Sequence, residues 1–176
     1  MEQHQLDGIV AWLTKAGLDG VAEERLLAGM CQRCCDGGVA VSRALALIDT
    51  LHPTWEGRAF RWHHDNAAEN VTVAYGPTNQ GERADAWQRS PFRQMLDSGS
   101  NEFRRRPDAD GDVGSYAPLV KAFGGGQTDY FAMVRRFAPA GSIGQMDCSY
   151  AQWTTERAGG FLARELFTLD PELTTQ

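Results

Sequence analysis

The spacing of apolar residues changes at Gly37-Gly38, and this change constrains the fold more than any motif in the chain. Upstream, LDGIVAWLTKAG places Leu6, Ile9, Val10 and Leu13 at helical spacing, and Gly17 ends the segment. Asp19 is the expected N-cap of a second helix, GVAEERLLAGMCQRCCD. Its Leu27, Met30, Cys31 and Cys34 follow i, i+3, i+4, i+7, and the glycine pair supplies the stop.

Downstream the period shortens. VSRALALIDTL (41–51) reads as a mostly apolar strand, and RAFRWHH (58–64) alternates with Phe60 and Trp62 on one face. VTVAYG (71–76) predicts a third strand, and a long connection follows. Within it SPFRQMLDSG predicts a short helix, with Ser90 as cap, Pro91 in the first turn and Gly99 as stop. NEFRRRP (101–107) predicts an edge strand, closed by the turn PDADGD, and SYAPLVKAFGGG a further short helix. TDYFAMVRRF (128–137) and GQMDCSYAQWTTE (144–156) predict antiparallel neighbours, and FLARELFTLDPEL returns to helical spacing. The expectation is one α+β domain over 1–176, with an antiparallel sheet of five or six strands. Helices occupy 1–38, the sheet with its helical excursion 39–156, and a C-terminal helix 157–176.

Hydrophobic residues make up 42% and charged residues 23%, which indicates neither disorder nor a membrane protein. No apolar run approaches the roughly 20 residues of a membrane span. MEQHQLDGIVAWLTKAG lacks the basic start and cleavage site of a signal peptide, so a cytoplasmic location with reduced thiols is expected. A net charge of -6 argues against a general nucleic-acid binder. Arg104-Arg105-Arg106 and Arg135-Arg136 read as solvated basic faces.

Three of the chain's four cysteines fall in CQRCC. C-x-x-C offers two soft ligands or a redox pair, yet no second closely spaced pair follows. A metal set would have to combine Cys31, Cys34, Cys35 and Cys148, or recruit His52, His63 or His64. Free cysteine on a buried stripe acts as a small hydrophobe, so Cys31 and Cys34 are expected buried, reduced and metal-free, with Cys35 nearer the surface. His63 and His64 are adjacent on a strand and point to opposite faces, and His52 before Pro53 reads as a turn residue. FGGGQTD lacks the Lys-Ser/Thr of a phosphate-gripping loop, and Asp129 and Asp147 stand isolated. The segment carries no recognisable catalytic signature, and no cofactor is expected.

The order of two helices, a hairpin, a helical excursion, two more strands and a closing helix suits a GAF-like sensor domain. LLAGMCQRCCDGGVAVSRALALIDTLHPTWEGRAFRWHHD, RSPFRQMLDSG, GGGQTDYFAMVRRF and GGF (159–161) sharpen the likeness. These stretches resemble the N-terminal regulatory region that precedes class III adenylate/guanylate cyclase catalytic domains in proteobacteria. The resemblance spans roughly 5–165. Its most specific marks are Leu51-His52-Pro53, Ser90-Pro91-Phe92 and Thr128-Asp129-Tyr130. The CQRCC cysteines depart from the family pattern, and no cyclase catalytic domain, which would need about 150–200 further residues, is present.

The resemblance implies a ligand pocket between one sheet face and the helices crossing it, lined by Trp62, Tyr75, Phe92, Met95, Tyr130 and Met133. It also implies a homodimer through the terminal helices, and a cyclase output domain in cis or in trans. The helix carrying Val21, Leu26 and Leu27 offers an apolar face for the dimer. A dimerisation module that binds no ligand, and a thiol-based redox or metal sensor, are the other readings.

Overall fold

The computed structural model describes residues 2–50, 53–107, 125–136 and 148–170. Helix α1 (Gln3–Leu18) begins with a reciprocal cap between Glu2 and Gln5. Helix α2 (Glu23–Asp36) puts Glu23 and Glu24 in its first turn, where the helix dipole favours negative charge. Asp19 is not the cap of α2. It closes α1, its backbone N–H donating to the Lys15 carbonyl at 2.9 Å, and Ala22 takes the N-cap position of α2. The two helices pack through a tight spot, because a Cβ on Gly29 would lie 2.2 Å from the Trp12 ring. The Arg33 guanidinium covers the same ring at 3.8 Å. Ile9 and Ala16 are the buried residues of α1, whereas Val10, expected on the inner stripe, is half exposed.

Six antiparallel strands form the sheet: β1 (Arg43–Asp49), β2 (Gly57–His63), β3 (Thr72–Tyr75), β4 (Glu102–Arg105), β5 (Asp129–Arg136) and β6 (Cys148–Thr155). Their order is β3-β2-β1-β6-β5-β4, which puts β4 at an edge as its sequence suggests. Apart from β2, which keeps seven residues shifted by one, each strand is shorter than the stretch expected for it; Val41, for example, is buried core but lies ahead of β1. Between β3 and β4 run α3 (Gly81–Gln88) and α4 (Pro91–Ser98). Helix α4 is built as expected: Ser90 Oγ accepts from the Arg93 N–H at 3.1 Å, Pro91 opens the first turn, and Gly99 stops the helix at φ +73°. Helix α3 has no buried residue and therefore no apolar stripe to announce it. The closing helix, α5 (Ala163–Leu169), is shorter than the expected 157–176, and 171–176 lie outside the described residues. So do Leu51, His52, Asp147, most of the turn expected at 107–112 and most of the helix expected at 115–126.

Strand alternation sorts the side chains into two cores. On one face Ala44, Trp62, Phe131 and Trp153 meet Ile9, Cys31 and Cys34 from the N-terminal helices, and Leu166 and Leu169 from α5. Phe131 stacks on Trp153 with ring centroids 6.2 Å apart. On the other face Leu45, Ala59, Tyr130, Ala132, Val134 and Tyr150 receive Phe92 and Met95 from α4. The Trp87 and Phe92 rings close on Tyr150 at 5.6 and 5.3 Å.

Two of the sequence stretches that carry the resemblance meet in one joint. Asp129 is fully buried and accepts from the Phe161 N–H at 2.9 Å and from Arg104 Nη2 at 2.6 Å. Gly160 makes this possible: its φ is +76°, and a Cβ there would lie 2.4 Å from Asp129 Oδ2. Thr128 Oγ1 donates to the Arg157 carbonyl at 2.6 Å, and Tyr130 donates to Gln127 Oε1 at 3.0 Å. The basic runs are thus not simply solvated. Arg104 clamps Asp129, Arg135 pairs with the buried Asp170, and Arg136 reaches Asn101. The fold brings Arg104 and Arg135 to buried carboxylates, which a reading by composition misses.

Candidate functional site

The second face of the sheet leaves a cavity of about 340 Å³ under α3. Its floor is Leu45 and Leu47 of β1, Ala59 of β2 and Val73 of β3, residues of one parity across three neighbouring strands. Trp87 of α3 and Phe92 of α4 form the roof with Ala86 and Ser90. Small residues create the space: opposite Leu47, where a larger side chain would fill the gap, β2 carries Ala59.

One end of the cavity is a cross-strand polar row. Asp49, Gly57 and Tyr75 are register partners on β1, β2 and β3. Gly57 is required here, since a Cβ would lie 2.2 Å from the Tyr75 hydroxyl. The phenol crosses over that glycine and donates to Asp49 Oδ1 at 2.8 Å. Nearby, Glu56 accepts from the Thr78 backbone N–H at 2.6 Å and from its hydroxyl, tying down the loop that leads to α3. Burial pushes the Asp49 carboxyl above its ordinary value; the Tyr75 bond opposes this and the Glu56 charge adds to it. Burial likewise pushes the Tyr75 phenol up, reinforced by Asp49. Arg61 on β2 and Arg83 on α3 complete the lining, with Arg83 lying over Gly76.

This arrangement is built to bind. An apolar floor and aromatic roof take up the body of a small molecule, and a few placed polar groups orient it. The lining holds no histidine or cysteine among the described residues, and each carboxylate in it already accepts a hydrogen bond.

Of the residues expected to line a pocket, Tyr75 and Phe92 do so. Met95 and Tyr130 belong to the core of the same face without lining the cavity. Trp62 and Met133 lie on the opposite face, packed with the N-terminal helices and α5. Parity explains this: Trp62 pairs with Ala44, and Met133, three positions from Tyr130, must turn the other way. Among the residues missed are Leu45, Leu47, Asp49, Ala59, Arg61, Val73, Arg83 and Trp87. Alternation in RALALID, GRAFRWH and TVAY marks the strand residues among them; nothing local marks Arg83 or Trp87.

Of the cysteines, only Cys35 lines a pocket among the described residues, a shallower one of about 440 Å³ that it shares with Gln32, Asp36, His64, Asp65 and Glu156. Cys31 and Cys34 are buried in the helix-side core, and Cys35 is half-buried with its thiol donating to the Val41 carbonyl at 3.4 Å. Burial raises all three thiols, Cys34 to about 12 and Cys31 well above the ordinary range, where its neighbouring thiols add to the shift and Trp153 opposes it. Such thiols are the reverse of activated. Cys148 lies in the core of the other face, so the sheet separates it from Cys31 and Cys34. Among the described residues no group of three or more His, Cys, Asp or Glu side chains could hold a metal ion. His63 organises a turn, its Nδ1 accepting from the Asp65 and Asn66 N–H groups at 3.1 Å each, while His64 meets the Trp62 ring edge-on. Comparisons with family models, with curated proteins and with solved structures find no match to this chain.

Proposed function

We propose that this chain is a GAF-like regulatory domain that binds a small molecule and controls a class III nucleotide cyclase output domain. The observation that carries the reading is the cavity under α3, with its apolar floor, aromatic roof and cross-strand polar end. The family resemblance described from the sequence supports the cyclase connection. In this reading the chain itself is not an enzyme. It works in the cytoplasm, and no described helix is long and apolar enough to cross a membrane. It needs neither nucleic acid nor a bound cofactor. The signal leaves through the terminal helices, which all pack on the face opposite the cavity.

The same terminal helices make the homodimer. Its supporting observation is the outer side of α1, where Val10 is 50% and Leu18 85% exposed. The decisive experiment is a thermal-shift screen of the whole chain against small metabolites, repeated with Trp87→Ala. A ligand that binds only the folded state raises Tm by mass action, and the rise should vanish in the variant. Absence of any shift, together with a dimer by light scattering, would replace the sensor reading with a dimerisation module.

A further inference from the structure

From the lining of this cavity we infer that its ligand is a small amphipathic anion, a carboxylate with an apolar or aryl body whose charged end pairs with Arg61. The inference rests on the sensor reading and adds the chemistry of the ligand. Four charged side chains line the cavity: Asp49, Glu56, Arg61 and Arg83. The two acids are already engaged, Asp49 by the Tyr75 hydroxyl and Glu56 by the Thr78 N–H and hydroxyl. Neither guanidinium has a hydrogen-bond or ion-pair partner among the described residues. The donors left over in the lining are therefore those of the two guanidinium groups, and a carboxylate matches the planar fork of an arginine.

Position selects Arg61 over Arg83. Arg83 sits over Gly76, at the end that also holds Glu56, Tyr75 and Asp49, so its charge is locally offset. Arg61 is four residues along β2 from Gly57, about 13 Å away at the usual strand rise, and no carboxylate lines that end. Between the two ends run Leu45, Leu47, Ala59 and Val73, with Trp87 and Phe92 above them. A molecule with one anionic end and an apolar body fits this sequence of surfaces. A cation at the Arg61 end would meet like charge.

The test compares three probes that share one body: 4-phenylbutyrate, 4-phenylbutan-1-ol and 4-phenylbutylammonium. Each is titrated into the whole chain, with Tm and calorimetric Kd as readouts. The expected order of affinity is carboxylate, alcohol, ammonium, with Arg61→Gln weakening the carboxylate about tenfold and leaving the alcohol unchanged. Arg61→Lys should restore part of the loss, and Arg83→Gln should change it less than Arg61→Gln. Tighter binding of the ammonium, lost in Asp49→Asn, would overturn the inference in favour of a cation site. Equal affinities insensitive to Arg61→Gln would overturn it in favour of a purely apolar pocket. If no probe binds while another molecule shifts Tm in a Trp87-dependent manner, the inference fails and the sensor reading stands. If nothing binds at all, both fail.

Discussion

Replacing Gln152 with leucine should stabilise the protein. Gln152 lies on β6, a central strand, between Leu45 of β1 and Ala132 of β5, and is completely buried. Neither its Nε2 nor its Oε1 has a hydrogen-bond partner among the described residues. An orphaned buried polar group costs about 1–3 kcal/mol, and this side chain carries two. Leucine removes both atoms at similar volume, while its branched shape costs about 1 kcal/mol of repacking. The net expectation is a gain of about 1–5 kcal/mol. For a chain of this size each kcal/mol moves Tm by about 2–4 °C, so the variant should melt roughly 2–20 °C higher. Calorimetry supplies Tm, and urea unfolding with an unchanged m value shows that the compactness of the end states is preserved. Gln152→Glu should move the other way, because it buries a charge in the same place. A leucine variant that loses 1 kcal/mol or more would refute the reasoning and show that the amide is bonded in the folded protein.

Gly57→Ala should lower stability by about 1–3 kcal/mol, as expected when a packed site is overfilled, and should free the Asp49 carboxyl from Tyr75, since the new methyl occupies the phenol's path. Urea unfolding checks the first, and titration of Asp49 by NMR the second. Cys34→Ser should cost about 1–3 kcal/mol, because it buries a hydroxyl without an assured partner, whereas Cys35→Ser should cost much less; chemical unfolding of the two variants compares them. Glu165 is buried, which raises its pKa, but Arg157 and the Leu162 N–H outweigh burial and hold the carboxyl below its ordinary value. Its contribution is therefore complete above the unfolded pKa of about 4.3 and disappears as the pH falls through the lower folded value. The Tm difference between the native chain and Glu165→Gln should be open at pH 7 and close toward pH 3.

The layered α+β plan was legible because periodicity is a local property. The helical run through Leu27, Met30, Cys31 and Cys34, and the alternation in RAFRWHH, each announce which side faces a core. Helix α4 was legible to the residue, because Ser90, Pro91 and Gly99 each act on their own backbone. Asp19 misled because a good capping residue one turn early competes with the acidic first turn that starts at Glu23. The cavity was legible only in part. Choosing residues by aromatic and methionine character mixed both faces of the sheet, whereas the parity of Leu45, Leu47 and Asp49 would have kept them apart. Helix α3 stayed hidden because GERADAWQ buries nothing fully. It roofs the cavity through one half-buried tryptophan, and no sequence period reports a roof of that kind.

The central place of β6 governs the order in which this molecule can be made. Synthesis delivers β1, β2 and β3 as one antiparallel unit and β4 with β5 as another, and the strand that joins them comes last. Before residues 148–155 leave the ribosome, the free edges of β1 and β5 wait for the same partner. The Ser42 hydroxyl bonds the Thr154 carbonyl across 112 residues, a separation that makes late, slow closure a property of the topology. Open strand edges are templates for pairing with other chains. A chain that stops short of Cys148 therefore offers two adhesive half-sheets, and the eight residues of β6 decide whether the segments made before them remain separate molecules or associate.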